Sequence, residues 1–288
     1  MQHIMEIGGT PRFSTLFILG LGHSGSTLLG RMLGCHPEAV FAGELLRLEQ
    51  ALSRPQERCS CGSFVVECPV WQRRIELLPQ AVKTDFRHWT WDLIEGLRKA
   101  ENKLLLVDSS KSRVLRLQSK WKRSPAGYVL LVRDPRGALR SALQEKRDLP
   151  QLLSSSRKWM RRYERFSRRH SSVCLTMFYE DLVASTEAEL QRLCGFLGLQ
   201  YTPEMLYPNR QTFHLIRASH SPYLKGTDRM NLDERWRSEL TPKQAQAISH
   251  HLGKLSIYRE HYGLTSAGAV NVLRDWCASF FRKLQRRR

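Results

Sequence analysis

Apolar residues along this chain gather in short runs, and each run ends in small or polar residues. Residues 15–19 read TLFIL and enter Gly20, after which Leu28, Leu29, Met32 and Leu33 recur at helical spacing until His36-Pro37 stops the helix. Further buried strands are expected at residues 104–107, before Asp108-Ser109-Ser110-Lys111, and at 128–132, before Arg133-Asp134-Pro135. Asp134 suits a helix N-cap there and Pro135 the first helical position. A fourth strand is expected at 173–178, after an arginine-rich helix containing Trp159 and Tyr163. Strands apolar along their whole length, separated by helical stretches, predict an α/β fold with a central parallel sheet flanked by helices on both faces.

Thr241-Pro242 opens a late helix predicted to reach about Tyr262, and residues 263–268 read as a linker. Beyond it Leu273, Trp276, Cys277, Phe280, Phe281 and Leu284 form one apolar stripe, with Arg274, Arg282, Lys283, Arg286, Arg287 and Arg288 mostly elsewhere. Such a basic amphipathic tail suits peripheral contact with an anionic membrane, and equally suits packing on the domain with its arginines solvated. The simplest division is one domain, residues 1–264, and a tail, 265–288.

Composition sharpens this picture in one respect. The 288 residues are 41% hydrophobic and 25% charged, ordinary for a soluble globular chain, and no apolar run approaches a membrane span. The charge is not ordinary: 46 Lys and Arg against 27 Asp and Glu give +19, so an anionic partner or substrate is expected. Seven scattered cysteines do not form a disulfide framework and point to a reducing, cytoplasmic setting. The apolar run 16–22 follows Arg12 but is read as a strand, since cleavage there as a signal peptide would destroy the clearest motif in the chain.

That motif is Gly20-Leu21-Gly22-His23-Ser24-Gly25-Ser26-Thr27, between a strand and a helix. Its glycines let consecutive N–H groups turn inward at a helix N-terminus, which makes an anion cradle. The spacing follows the nucleotide-binding pattern G-x-x-x-x-G-K-S/T of P-loop proteins, so the expected central sheet is P-loop-like, but Ser26 stands where the lysine belongs. That lysine neutralises terminal phosphate charge in kinases and NTPases, so its absence weighs against both. A sulfuryl group carries less charge and needs less neutralisation. A second anion site is suggested by Arg133 at a strand end and Ser141 on the following helix.

Together these two segments resemble the 5′-phosphosulfate loop and the 3′-phosphate motif of sulfotransferases that use 3′-phosphoadenosine-5′-phosphosulfate (PAPS). His36-Pro37 with Gly43-Glu44 is similar to a segment of the protein-tyrosine and related bacterial members. Asp108-Ser109-Ser110-Lys111, Cys59-Ser60-Cys61-Gly62 with Cys68-Pro69, and Phe178-Tyr179-Glu180-Asp181-Leu182 also resemble stretches of that group. The resemblance implies that His23, Ser24, Gly25, Ser26, Thr27 and Leu28 hold the 5′-phosphosulfate and that Arg133 and Ser141 hold the 3′-phosphate. Lys225 and Arg229, in a segment that closes over the nucleotide in the family, are implied as further phosphate contacts. It implies Glu44 as general base; Arg47, three residues on, is placed either to orient Glu44 or to contact an acidic acceptor, and His23 and Lys111 are the candidate catalytic cations. The family usually carries Arg or Lys where this chain has His23, a weaker source of charge at neutral pH. Trp236 reads as core rather than as an adenine-stacking ring.

The implied co-substrate is PAPS and the product 3′-phosphoadenosine-5′-phosphate (PAP), with no metal required. The partner is a hydroxyl-bearing acceptor of carbohydrate, lipid, small-metabolite or protein-tyrosine type; no nucleic acid is expected. Cys59, Cys61 and Cys68 raise the question of zinc. Their C-x-C spacing is tight and no fourth ligand stands nearby in the chain, so they read as free or substrate-lid thiols. The rival readings are a nucleotide kinase or NTPase, and a basic module that binds anions or membranes without catalysis.

Overall fold

The structure, a computed structural model, describes residues 11–54, 56–77, 91–111, 114–115, 126–216 and 231–265. They divide into two compact units. One comprises the chain up to Gly20, Ser24–Val132 and the stretch from Ser167 to Leu232; the other comprises Leu21–His23, Arg133–Phe166 and the stretch from Asp233.

The first unit is built on a five-stranded sheet: β1 (Thr15–Leu19), β2 (Ala39–Phe41), β3 (Leu105–Asp108), β4 (Ala126–Val132) and β5 (Cys174–Phe178). The order is β2-β3-β1-β4-β5 and every pairing is parallel. Thr15 faces Leu106 on one side and Ala126 on the other, so the first strand is the middle of the sheet. All five of its residues are buried, as are all seven of β4, which is why both read as unbroken apolar runs. Leu16, Ile18, Val129 and Leu131 pack with Leu29, Met32 and Leu33 of the helix Ser26–Gly34 into the core. From β1 the chain leaves toward β3 on one side and later returns to β4 on the other. The strand order therefore reverses at the carboxyl end of β1, where ligands bind in open α/β sheets.

Two sequence expectations need correction here. The strand expected at 104–107 lies one residue later, with Leu104 39% exposed, and it carries Asp108 as its last residue. The edge strand β2 was not expected, because three residues offer no readable period. It forms through pairing: Glu38 carbonyl accepts from the amides of Leu104 and Leu105, and Ala39, Val40 and Phe41 then register with Leu105, Leu106 and Val107. His36 sets its start. Its Nε2 lies 2.8 Å from the Gln200 carbonyl, and its Nδ1 accepts the Glu38 amide at 3.1 Å. A carbonyl can only accept and an amide only donate, so the ring carries its proton on Nε2.

The second unit is helical among the described residues. Asp134 caps the helix Pro135–Gln144 by accepting the Arg136 amide at 2.8 Å, as its sequence position predicts. Leu149–Arg169 buries Leu152, Ser156, Met160, Tyr163 and Phe166 along one face and leaves its arginines on the other. The late helix expected to reach Tyr262 is instead two, Pro242–Leu252 and Ser256–Tyr262. The break has a partner that the sequence does not display: the Glu164 carboxylate accepts the Ile257 amide at 3.0 Å and the Ser256 hydroxyl, capping a new N-terminus. Trp236 is buried, as expected, with the Arg136 guanidinium 4.1 Å from its ring centre. Lys225, Arg229 and all of the tail but its first residue lie outside the described residues. No helix among the described residues is long and apolar enough to cross a membrane.

Candidate active site

The loop after β1 is shaped by two glycines. Gly20 has φ 152°, and a side-chain carbon on it would sit 2.5 Å from the Leu131 carbonyl and 2.8 Å from Ser24 Oγ. Gly25 has φ 92°, a left-handed conformation, and the Tyr179 ring covers it at 2.6 Å from where a Cβ would stand. Tyr179 opens a helix at the end of β5, so the family-like Phe178-Tyr179 stretch acts as a wall of this loop. The following helix, Ser26–Gly34, has no side-chain cap, which leaves the amides of its first turn facing outward along the helix axis. Ser24 is 1% exposed and its hydroxyl has no hydrogen-bond partner among the described residues. A buried hydroxyl without a partner costs about 1–3 kcal/mol. Together with the uncapped amides it forms a donor set suited to an anion.

The loop after β3 is built in the opposite way. Asp108 is 2% exposed; its Oδ2 accepts from the Leu45 amide at 2.9 Å and the Ser110 hydroxyl at 3.0 Å, and its Oδ1 from the Ser110 amide at 2.7 Å. Ser110 Oγ in turn accepts the Leu46 amide at 3.1 Å. Ser109 donates its amide at 2.7 Å and its hydroxyl at 3.2 Å to the Gly43 carbonyl. The Asp-Ser-Ser sequence thus grips the backbone on both sides of Glu44. The next residue, Lys111, sits at φ 54° and places Nζ 2.7 Å from Glu44 Oε1, while Arg47 Nε donates to Oε2.

These contacts set the charge of the group. Burial pushes the Glu44 carboxyl up, and the Lys111 ammonium and the Arg47 guanidinium more than reverse that, holding it below its ordinary range. Glu44 is a carboxylate at neutral pH. Asp108 goes the other way: burial pushes it up to about 6, with the Glu44 charge adding to the rise and the Ser110 and Leu45 hydrogen bonds opposing it.

In the helical unit, Arg133 is 7% exposed. Its Nη1 donates to the His23 carbonyl at 2.9 Å, and its Nη2 lies 3.1 Å from the Asp233 carbonyl and 3.0 Å from Asp233 Oδ2. Burial pushes Asp233 up, but the bonds from Arg235 and Arg133 outweigh it and leave the carboxylate strongly acidic. A carboxylate therefore already sits on the guanidinium named from the sequence as a phosphate binder. Ser141 is half-buried, and its hydroxyl turns back to the Gly137 carbonyl at 3.3 Å. The His23 ring faces Glu145 Oε1 at 3.2 Å, with φ 61° at its backbone. The charge excess also has a place here: Arg157, Lys158, Arg161, Arg162 and Arg165, with Ser154 and His251, line a cavity of about 580 Å³.

Of the residues named from the sequence, Glu44, Lys111 and Arg47 are brought into one cluster, and His23 is joined to Arg133 through its carbonyl. Sequence reading did not find Asp233, which is 100 residues from its partner, or the role of Asp108. Nor did it find His214, whose Nδ1 lies 3.1 Å from Cys68 Sγ and 3.9 Å from Cys59 Sγ. No local spacing signals any of these three.

Residues 15–203 match the sulfotransferase family. The chain belongs to that family. Among curated relatives, a putative protein-tyrosine sulfotransferase of Caenorhabditis briggsae is 24% identical over 216 residues, covering 67% of this chain and 68% of that one. The sulfotransferase domain of the Synechococcus PCC 7002 olefin synthase has the same fold, with a TM-score of 0.58 at 24% identity, covering 82% of this chain and 94% of that one. A mouse sulfotransferase complexed with PAP superposes with a TM-score of 0.51 at 13% identity, covering 84% and 83%. Family membership answers the kinase reading, and the strand order of this sulfotransferase agrees with the expected P-loop-like sheet.

Proposed function

We propose that this sulfotransferase moves a sulfuryl group from PAPS to an acceptor hydroxyl, with Glu44 as general base. The observation that carries the reading is the state of Glu44: half-buried, ionised, gripped by two cations, and fixed in its backbone from the end of a neighbouring strand. A solvated surface glutamate has none of these constraints.

In the proposed reaction the acceptor oxygen attacks sulfur in line with the bond to the 5′-phosphate. The new O–S bond forms as the S–O bond to phosphate breaks, and PAP leaves with the electron pair. Glu44 receives the hydroxyl proton, a role typically contributing about 10²–10⁴ in rate. A carboxylate held below its ordinary range is a weak base, so the proton moves late, once bonding to sulfur has acidified the acceptor oxygen. Lys111 stands where it can hold Glu44 in place and stabilise charge on the transferred group. The Ser24 hydroxyl and the amides of Gly25, Ser26, Thr27 and Leu28 are the proposed donors to the 5′-phosphosulfate, with His23 beside them. Arg133 and Ser141 are the proposed donors to the 3′-phosphate, with Asp233 giving up its place on Arg133. Lys225 and Arg229 remain proposed phosphate contacts.

The buried, unpartnered Ser24 hydroxyl and the uncapped helix support an anionic ligand in the loop, and the PAP complex of the mouse relative makes PAP the ligand to try first. PAP is expected to raise the melting temperature in the presence of a chelator, and ATP to do little. Stabilisation by Mg²⁺-ATP and not by PAP would overturn the donor assignment. The acceptor class is to be found by a PAPS-dependent transfer screen over carbohydrate, lipid, small-metabolite and tyrosine hydroxyls, with Glu44→Ala as control.

A further inference from the structure

Away from Glu44, the first unit contains a second cluster of reactive side chains, formed by Cys59, Cys61, Cys68 and His214. We propose that these four residues bind one Zn²⁺ ion in tetrahedral geometry, as a clip that ties residues 59–68 to residues 213–216. The inference is independent of the reading of the transfer reaction.

The four ligand atoms all lie within 4.8 Å of one another. Cys68 Sγ is 3.1 Å from His214 Nδ1, Cys59 Sγ is 3.9 Å from the same nitrogen, and Cys61 and Cys68 sulfurs are 3.9 Å apart. Bonds of about 2.3 Å from zinc to sulfur and about 2.0 Å to nitrogen give tetrahedral edges of roughly 3.5–3.8 Å. The three separations given lie within about 0.4 Å of those edges, and the set as a whole, spread over up to 4.8 Å, closes to that size with small side-chain shifts. All three thiols are free, and three thiols cannot pair among themselves without leaving one over. Three cysteines and a histidine make a closed zinc set, whereas iron–sulfur clusters usually take four cysteines and hard cations take oxygen.

The backbone explains how a C-x-C spacing serves. Cys59 pairs with Ile216 in an antiparallel bridge, and Ser60 and Cys61 form the tight turn that follows it. Ser60, the first residue of that turn, bonds to the facing segment. It donates its amide to the Leu215 carbonyl at 2.9 Å and accepts the Leu215 amide on its hydroxyl at 2.9 Å. The residue between the two cysteines thus holds the segment that carries His214. Gly62, at φ 102°, closes the turn with its amide on the Cys59 carbonyl at 2.9 Å. Arg74 holds the segment from behind, its Nη1 3.4 Å from the His214 carbonyl.

The region needs a clip. Its regular structure is one short 3-10 turn, Val65–Glu67, and two isolated bridges, and a bound structural ion contributes directly to folding in such segments. The clip reaches the transfer site indirectly: Leu215 packs over Gly43, its Cδ2 3.3 Å from where a Cβ on Gly43 would stand, one residue before Glu44.

The test is metal analysis of the purified full chain, loaded with Zn²⁺ under reducing conditions and desalted. Close to one zinc per chain is expected, and almost none in Cys68→Ser. Exchange with Co²⁺ is expected to give the visible absorption of tetrahedral thiolate coordination, lost in His214→Ala. Because those two variants change buried or half-buried positions, Cys61→Ser serves as a second probe, its side chain being exposed. It is expected to fold and to surrender zinc to a competing chelator about tenfold faster or more. A wild-type chain that takes up no zinc, a mass two hydrogens short across the peptides of residues 59–68, or a Cys61→Ser chain that holds zinc as tightly as wild type would each overturn the proposal.

Discussion

The loops after β1 and β3 leave the same end of neighbouring parallel strands, and both carry serines, yet they are built to opposite specifications. After β3, the Asp108 carboxylate and both serine hydroxyls are bonded within the fold, and what they hold is the backbone around Glu44. After β1, the buried Ser24 hydroxyl has no partner and the helix that follows has no cap. A fully satisfied loop is rigid and offers nothing to a ligand. A loop with unsatisfied donors carries a standing cost that a ligand or an ordered water removes. The contrast separates the part that positions from the part proposed to bind, and it assigns each a different response to mutation.

The largest expected effect lies on the positioned side. Glu44→Gln keeps the shape and removes the charge, so kcat is expected to fall by about 10²–10⁴ while PAP affinity changes little. Unchanged turnover in this variant would remove Glu44 from the chemistry. It would also leave the Asp-Ser-Ser grip without a purpose in the transfer reaction.

Asp108 comes next. In Asp108→Ala the amides of Leu45 and Ser110 lose their acceptors in a dry site, and a loss of about 2–3 kcal/mol of stability is expected in denaturant unfolding. The same carboxyl predicts a pH signature. Its folded pKa of about 6 lies above the ordinary 3.8, so between those values the native state binds the proton that the unfolded state has lost. Stability from this group is therefore full below the ordinary value and declines as pH rises toward about 6, by no more than about 3 kcal/mol. Glu44, held below its ordinary range, contributes oppositely, its share fading only in stronger acid. Unfolding measured from pH 4 to pH 7 is expected to lose its downward slope in Asp108→Asn. An unaltered slope would show that another group titrates there.

What could be read from the chain follows the range of the interactions. The strands β1, β4 and β5, the Asp134 cap and the glycine loop are local, and contiguous residues display them. Glu44 and Lys111 could each be singled out, but not the 2.7 Å bond between them, because nothing in either segment records the register that brings β2 and β3 together. Asp108 read as one letter of a family-like motif; its link to the Leu45 amide is 63 residues long in sequence. His214 is 146 residues from Cys68 and stands between Phe213 and Leu215 with no spacing to mark it as a ligand. Local chemistry was legible and long-range partnership was not, and the partnerships are what convert a list of polar residues into a charged carboxylate and the proposed metal clip.

The smallest expected effect is the sharpest test of the comparison, because its two readouts move in opposite directions. Ser24→Ala removes a buried hydroxyl that bonds to nothing in the fold, so stability is expected to stay level or rise by up to about 1 kcal/mol. The same change deletes one donor to the ligand, and PAP affinity is expected to fall about tenfold, the worth of one hydrogen bond to a charged group. A structural serine would behave the other way, losing stability and leaving affinity alone. Calorimetric binding and unfolding on one preparation separate the two. If Ser24→Ala is destabilised and binds PAP as tightly as wild type, the loop after β1 is a scaffold like its neighbour, and the anion lies elsewhere.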